Sequence, residues 1–249
     1  MPDTARIIGS YLSPYVRKVL VCLHVKGIPY AIDPIIPFMG DDRFSALSPL
    51  RRIPVFIDER VTIADSSVIC QYLEDQYPDP AFYPSDVAAR ARARWLEEYA
   101  DTRLGDVLIW RLFNQVAIRP HVWGEPTDAA LVARTLAEDV PDVLGYLETQ
   151  APADGFFFGA LSIADVAIAS FFRNAAFARL TVDAARWPRT AALVARVLAT
   201  DGFVRLRPFE DACMRTPPAR HRATLAGLGA PLTEQSLGTT TPRRGAMSV

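Results

Sequence analysis

Ser10-Tyr11-Leu12-Ser13-Pro14-Tyr15-Val16-Arg17-Lys18-Val19-Leu20 is the stretch on which the fold of this chain turns. It follows a short strand signal, Arg6-Ile7-Ile8, and reads as strand end, tight turn and helix start. Pro14 suits a first helical turn, where its missing N–H would be unpaired anyway, and Ser13 before it sits at a natural N-cap position. A hydroxyl beside free backbone N–H groups at the positive end of a helix suits an anion. The anion expected here is a thiolate, with Ser13 as its donor and the nearby Tyr11 hydroxyl as the rival. Ser10 is a weaker third.

Working outward, Val16, Val19, Leu20 and Leu23 keep helical spacing up to Lys26, and Gly27 is the stop. Residues 29–36 read as an extended stretch with prolines at an edge, and 41–47 as a short helix. Ile53-Pro54-Val55-Phe56-Ile57 and Val61-Thr62-Ile63, separated by a polar turn, predict a hairpin. Asp65-Ser66 then caps a helix carrying Val68, Ile69, Tyr72 and Leu73. After the proline-rich stretch at 77–86 no strand signal remains. Helical patterns run over 87–118, 127–149 (interrupted by Pro141), 162–180, 191–199 and 203–214. From Thr216 the periodicity fades, and the expected layout is an α/β domain over 1–84, an all-helical domain over 85–215 and an extended or disordered tail over 216–249.

Composition narrows the class. The chain has 249 residues, half of them hydrophobic, and a net charge of −1, which gives no global field for nucleic acid or an anionic membrane. Cys22, Cys70 and Cys213 are sparse and odd in number, which argues for a reducing compartment and against a disulfide framework or a zinc site. His24, His121 and His221 lack metal-ligand spacing. No signal peptide or membrane-length apolar run is evident, so the cytoplasm is expected.

Three features of the first domain converge on one ligand. Ser13 offers a donor at a helix start. Pro54, opening a buried strand, is a candidate cis-proline that would leave the N–H and C=O of Ile53 exposed for a peptide-like ligand. Asp65 could pair with an ammonium, and the Ser66 hydroxyl and nearby N–H groups with a carboxylate. Together they describe a site for an extended zwitterionic thiol peptide.

These residues resemble the motifs of the cytosolic glutathione transferases over about residues 6–215. Residues 9–19 with Lys26-Gly27-Ile28-Pro29-Tyr30 are similar to the serine-type enzymes, especially the plant tau-like group. Ser48-Pro49-Leu50-Arg51-Arg52-Ile53-Pro54-Val55 resembles the cis-proline motif, and Ile63-Ala64-Asp65-Ser66-Ser67-Val68-Ile69 the γ-glutamyl-binding segment. Gly159-Ala160-Leu161-Ser162-Ile163-Ala164-Asp165 resembles the buried capping box, here a folding element in which Ser162 and Asp165 satisfy each other's N–H groups. The resemblance implies a thioredoxin-like domain followed by a helical one, with glutathione as co-substrate and no metal. Ser13 (alternatively Tyr11) would hold the sulfur, Ile53 and Pro54 the cysteinyl backbone, Asp65 and Ser66 the γ-glutamyl group, and Arg52 the glycyl end. It further implies a homodimer, and thiolate attack on a small hydrophobic electrophile, or reduction of a hydroperoxide. A non-catalytic binding or scaffold protein of the same fold and a glutathione-dependent isomerase are the alternatives. The sequence departs from the pattern at Asp65 (commonly glutamate), at Ser48 (commonly asparagine) and in the lack of a clear lysine near 38–43, where Arg43 is the nearest candidate.

Overall fold

A computed structural model describes residues 4–244. The chain divides into two compact units: one holds the segment up to Pro80 together with that from Arg205 onward, the other Ala81–Val204.

In the first unit, β1 (Ala5–Ile8), α1 (Pro14–Val25) and β2 (Tyr30–Asp33) form a β-α-β crossover whose strands run parallel, Ile7 opposite Ile32. A single 3-10 turn (Pro37–Met39) and α2 (Asp42–Leu47) follow. The hairpin β3 (Val55–Ile57) and β4 (Thr62–Ala64) pairs antiparallel, Phe56 opposite Ile63, and β3 also runs antiparallel to β1. The strand order is β2-β1-β3-β4, a mixed four-stranded sheet. α3 (Ser66–Gln76) packs on α1, and the buried thiols of Cys22 and Cys70 lie 3.7 Å apart between them. This is the α/β unit that the alternation of strand and helix signals predicts, in the thioredoxin-like arrangement that the family resemblance implies.

Arg17 and Lys18, the two charged residues of α1 nearest its start, are both buried. Arg17 Nε donates to Glu210 of α10 (Arg207–Arg215), which is itself buried, and a terminal nitrogen donates to the Tyr11 carbonyl at 3.3 Å. A buried guanidinium is tolerable only when so paired. This ion pair explains why 205–215 belongs with the first unit. The sequence expectation placed that segment in the helical domain.

The stretch beyond Thr216 also departs from the expected extended or disordered tail. It contains a 3-10 turn (Pro218–Arg220), α11 (His221–Gly227) and a run that bridges to the sheet, with Leu232 beside Ile32 in parallel and Gly238 opposite Gly40. Backbone hydrogen bonds to residues some 200 positions earlier hold it, so it needs no apolar periodicity.

The second unit is helical. α4 (Val87–Tyr99) continues into a π-wound stretch, Ala100–Trp123, ended by Gly124 in the left-handed region. α5 (Ala129–Arg134) passes through a π turn at Thr135–Asp139 into α6 (Val140–Gln150). Pro141 stands in the first turn of α6, so the winding changes where an N–H is missing. α7 (Ile163–Phe177) is apolar nearly all round and buried, packed by α4, the π-wound stretch and α8 (Pro188–Leu198), and α9 (Asp201–Val204) closes the unit. At its start Ser162 donates from both N–H (2.9 Å) and hydroxyl (2.6 Å) to Asp165 Oδ2, while Phe157 N–H donates to Oδ1 at 3.1 Å. Burial still raises the Asp165 carboxyl above its ordinary range against these bonds. Among the described residues no helix is long and apolar enough to cross a membrane.

Candidate active site

Ser13 caps α1. It is half-buried with extended backbone, and its Oγ accepts the Val16 N–H at 3.3 Å. That bond uses a lone pair and leaves the hydroxyl proton for an acceptor. Tyr11 sits differently. Only 1% exposed, its ring lies 5.0 Å from that of Phe209, and its buried hydroxyl forms no hydrogen bond within normal geometry. Burial first, then the neighbouring Tyr30 phenol, hold its proton far above the ordinary phenol range. Ser10 is also buried, with its Oγ accepting the Leu12 N–H at 3.2 Å.

The backbone clamp lies beside this helix start. A Cβ placed on Gly9 would come 2.5 Å from Val16 Cγ2 and 3.4 Å from Ile53 Cβ, so glycine permits the close approach of α1's first turn and the Ile53 loop. Ile53-Pro54 is a cis peptide bond. Among the described residues neither the N–H nor the C=O of Ile53 enters a hydrogen bond. Arg52 is exposed. Its backbone is held by a residue the sequence reading valued only as a departure. Ser48, 1% exposed, accepts the Arg52 N–H and donates to the Arg52 carbonyl, both at 2.9 Å. Arg51, at a left-handed φ of 51°, sends its guanidinium to the carbonyl of Gly40 (2.9 Å) and to Ser45 Oγ.

The third element is the start of α3. Val55 pairs with Ala64, which brings Asp65 next to the clamp strand. Asp65 is exposed at φ 110°, a region a residue with a side chain seldom adopts, and such strain gathers at functional positions. Its Oδ1 accepts both Ser67 N–H (2.9 Å) and Val68 N–H (3.2 Å), leaving Oδ2 without a partner among the described residues. Ser66 is buried behind it. The buried Lys18 ammonium donates to Ser67 Oγ at 3.0 Å, so α1 also reaches this end and adds positive charge there. Arg43, the nearest candidate for the missing lysine, is engaged by Asp41 (2.7 Å) and by the Ser236 carbonyl (2.9 Å). Among the described residues no group of three or more His, Cys, Asp or Glu is placed to hold a metal ion.

A thioredoxin-like unit with these three features and a helical unit define the glutathione transferase fold. Residues 7–81 match the family model of the glutathione S-transferase N-terminal domain. The chain is 28% identical over 213 residues to a probable glutathione S-transferase, GSTU6, of Oryza sativa subsp. japonica, covering 79% of this chain and 85% of that one. It is 34% identical over 97 residues to the uncharacterized GST-like protein YibF of Escherichia coli, covering 39% of this chain and only 48% of the relative, about half its length. A glutathione S-transferase structure from Rhodospirillum rubrum superposes with a TM-score of 0.77 at 24% identity, covering 89% of this chain and 99% of that one. The fold is thereby shown, and the sequence matches support the glutathione S-transferase family.

Proposed function

We propose that this chain is a serine-type glutathione transferase in which Ser13 holds the glutathione sulfur as thiolate. The observation that carries the reading is the free hydroxyl proton of Ser13, at a helix N-terminus beside an unpaired Ile53 backbone. A thiol near pKa ~8.5 is mostly protonated at neutral pH, and lowering it by ~2 units needs about 2.7 kcal/mol. A charge-assisted hydrogen bond supplies ~1.5–3 kcal/mol and the helix terminus ~0.3–1 kcal/mol, which together suffice. Tyr11, with its hydroxyl buried and only 1% of the residue exposed, is the weaker candidate because a ligand sulfur has little access to it.

In this reading Ile53 pairs with the cysteinyl backbone, Asp65 Oδ2 accepts the γ-glutamyl ammonium, the α3 start with Ser66 takes its carboxylate, and exposed Arg52 lies toward the glycyl end. The thiolate attacks a small electrophile: in a displacement the new carbon–sulfur bond forms as the leaving group departs with its electron pair into solvent, and in an addition the resulting anion takes a proton from solvent. With a hydroperoxide, two glutathione thiols are oxidised to the disulfide while the peroxide becomes alcohol and water. Ser13 donates a hydrogen bond and is never acylated or alkylated. Calorimetric titration with glutathione, followed by conjugation to an activated aryl halide and reduction of an organic hydroperoxide, tests the reading. Saturable binding with Ser13-dependent turnover supports it. Absence of binding refutes it, and binding without either turnover moves the chain to the isomerase or non-catalytic alternative.

A further inference from the structure

β2 is an edge strand, and such an edge normally leaves a row of unpaired backbone groups. Here the C-terminal segment covers it. Ile32 N–H donates to the Pro231 carbonyl (2.7 Å) and Thr233 N–H to the Ile32 carbonyl (3.1 Å). Next along the chain is Asp33, a carboxylate only 2% exposed. It accepts Leu237 N–H at 2.6 Å, Ser236 O–H at 2.8 Å and the Arg222 guanidinium at 3.3 Å. The strap then leaves the strand and follows the segment after it. Asp41 N–H donates to the Leu237 carbonyl (2.8 Å), Thr239 N–H to the Met39 carbonyl (2.8 Å) and Arg243 N–H to the Phe38 carbonyl (2.7 Å). Arg243 also pairs with Asp42.

Covering an edge explains the contacts at Ile32. It does not explain why the strap continues for several residues along 38–42, which is not a strand. The far side of that segment supplies a reason. Arg51 takes the carbonyls of Gly40 and Pro37, the latter at 3.3 Å, from the other direction, and Ser48 locks Arg52 immediately before Ile53. The segment 37–42 is therefore held between the strap and the arginine that sets the Ile53 loop.

We propose that residues 231–243 are a positioning element for the Ile53 clamp, acting through Asp33, the 37–42 segment and Arg51. The part of this proposal that concerns ligand affinity rests on the glutathione reading above. The strap touches no reacting atom, so its effect falls on glutathione affinity and leaves thiol activation intact.

The test uses full-length protein with Asp33→Asn, which keeps the size but presents an amide N–H toward donors, and separately Arg51→Lys, which loses the forked contact. Hydrogen exchange of the Leu237, Thr239, Arg51 and Arg52 amides is followed alongside glutathione KM and kcat. In Asp33→Asn we expect about tenfold faster exchange at Leu237, Thr239, Arg51 and Arg52, a KM for glutathione raised about tenfold and kcat within about twofold of wild type. In Arg51→Lys the strap amides stay protected while Arg51 and Arg52 loosen and KM rises equally. If the strap amides open in Asp33→Asn with Arg51, Arg52 and KM unchanged, the strap is only an edge cover and the proposal fails. If Asp33→Asn does not fold, an unchanged KM and unchanged Arg52 protection in Arg51→Lys overturn it. If wild-type protein binds no glutathione, the functional reading fails on its own, and the exchange pattern still decides whether the strap reaches the clamp.

Discussion

The starts of α1 and α3 are both capped by the residue before them, yet they leave opposite chemistry free. At α1 a hydroxyl accepts one backbone N–H and keeps a proton to donate. At α3 a carboxylate accepts two N–H groups through one oxygen and keeps the other oxygen to accept. One cap is half-buried on relaxed extended backbone, and the other is exposed at φ 110°. A single structural device thus leaves a spare donor at one end and a spare acceptor at the other, which the proposed function assigns to a sulfur anion and an ammonium. The lesson is that capping and ligand binding are compatible whenever the cap has a spare proton or lone pair.

The contrast breaks most sharply at Ser13. Ser13→Ala is expected to lower kcat/KM for conjugation by about 10- to 150-fold, the equivalent of one charge-assisted hydrogen bond, with glutathione affinity at low pH nearly unchanged. Steady-state kinetics with calorimetry separates the two. At the other cap, Asp65→Ala should raise the glutathione dissociation constant by about 10- to 100-fold and cost about 1 kcal/mol of stability. Asp65→Asn keeps a competent cap and loses the charge, so stability holds while affinity still falls. Equal stability losses in both variants would refute that division. Ser48→Ala, between the two caps, strips both backbone groups of Arg52 of their partner, and about 1–3 kcal/mol should be lost in urea unfolding.

Much of the local geometry at these candidate positions was legible in the sequence because its signals are local. Ser13-Pro14, Ile53-Pro54 and Asp65-Ser66 each announce a cap or turn within a few residues, and the Ser162–Asp165 box is likewise contained in one turn. What stayed hidden depends on distant partners. Arg17 and Lys18 look like solvent-facing charges on an amphipathic helix until Glu210 and Ser67 are brought beside them. The stretch beyond Thr216 reads as structureless because its order comes from backbone bonds to β2 and the 37–42 segment. Ser48 appeared only as a departure from a motif, since two hydrogen bonds to one residue leave no periodic trace.

Smaller effects sharpen the same comparison. His221 is buried with Nε2–H donating to the carbonyls of Cys213 and Thr216, each at 3.0 Å, and burial lowers its proton affinity. The unfolded chain then binds this proton more readily than the folded one. Its contribution is full above the ordinary histidine range, ~6.5, and is lost as the pH falls through the lowered folded value. Thermal unfolding between pH 5 and 8 should show this slope, and His221→Asn should flatten it. Tyr11→Phe removes a buried hydroxyl that has no hydrogen bond, so stability and turnover should stay close to wild type. A loss comparable to that of Ser13→Ala would reassign the donor.

The central claim is that the Ser13 hydroxyl, and not the Tyr11 phenol, holds the thiolate. Ultraviolet absorbance of enzyme-bound glutathione, titrated from pH 5 to 9 in wild type, Ser13→Ala and Tyr11→Phe, tests it most directly. The account predicts a bound thiol titrating about 2 units below ~8.5 in wild type and Tyr11→Phe, returning toward ~8.5 in Ser13→Ala. An unshifted titration in Ser13→Ala, with the rise appearing in Tyr11→Phe, would contradict it.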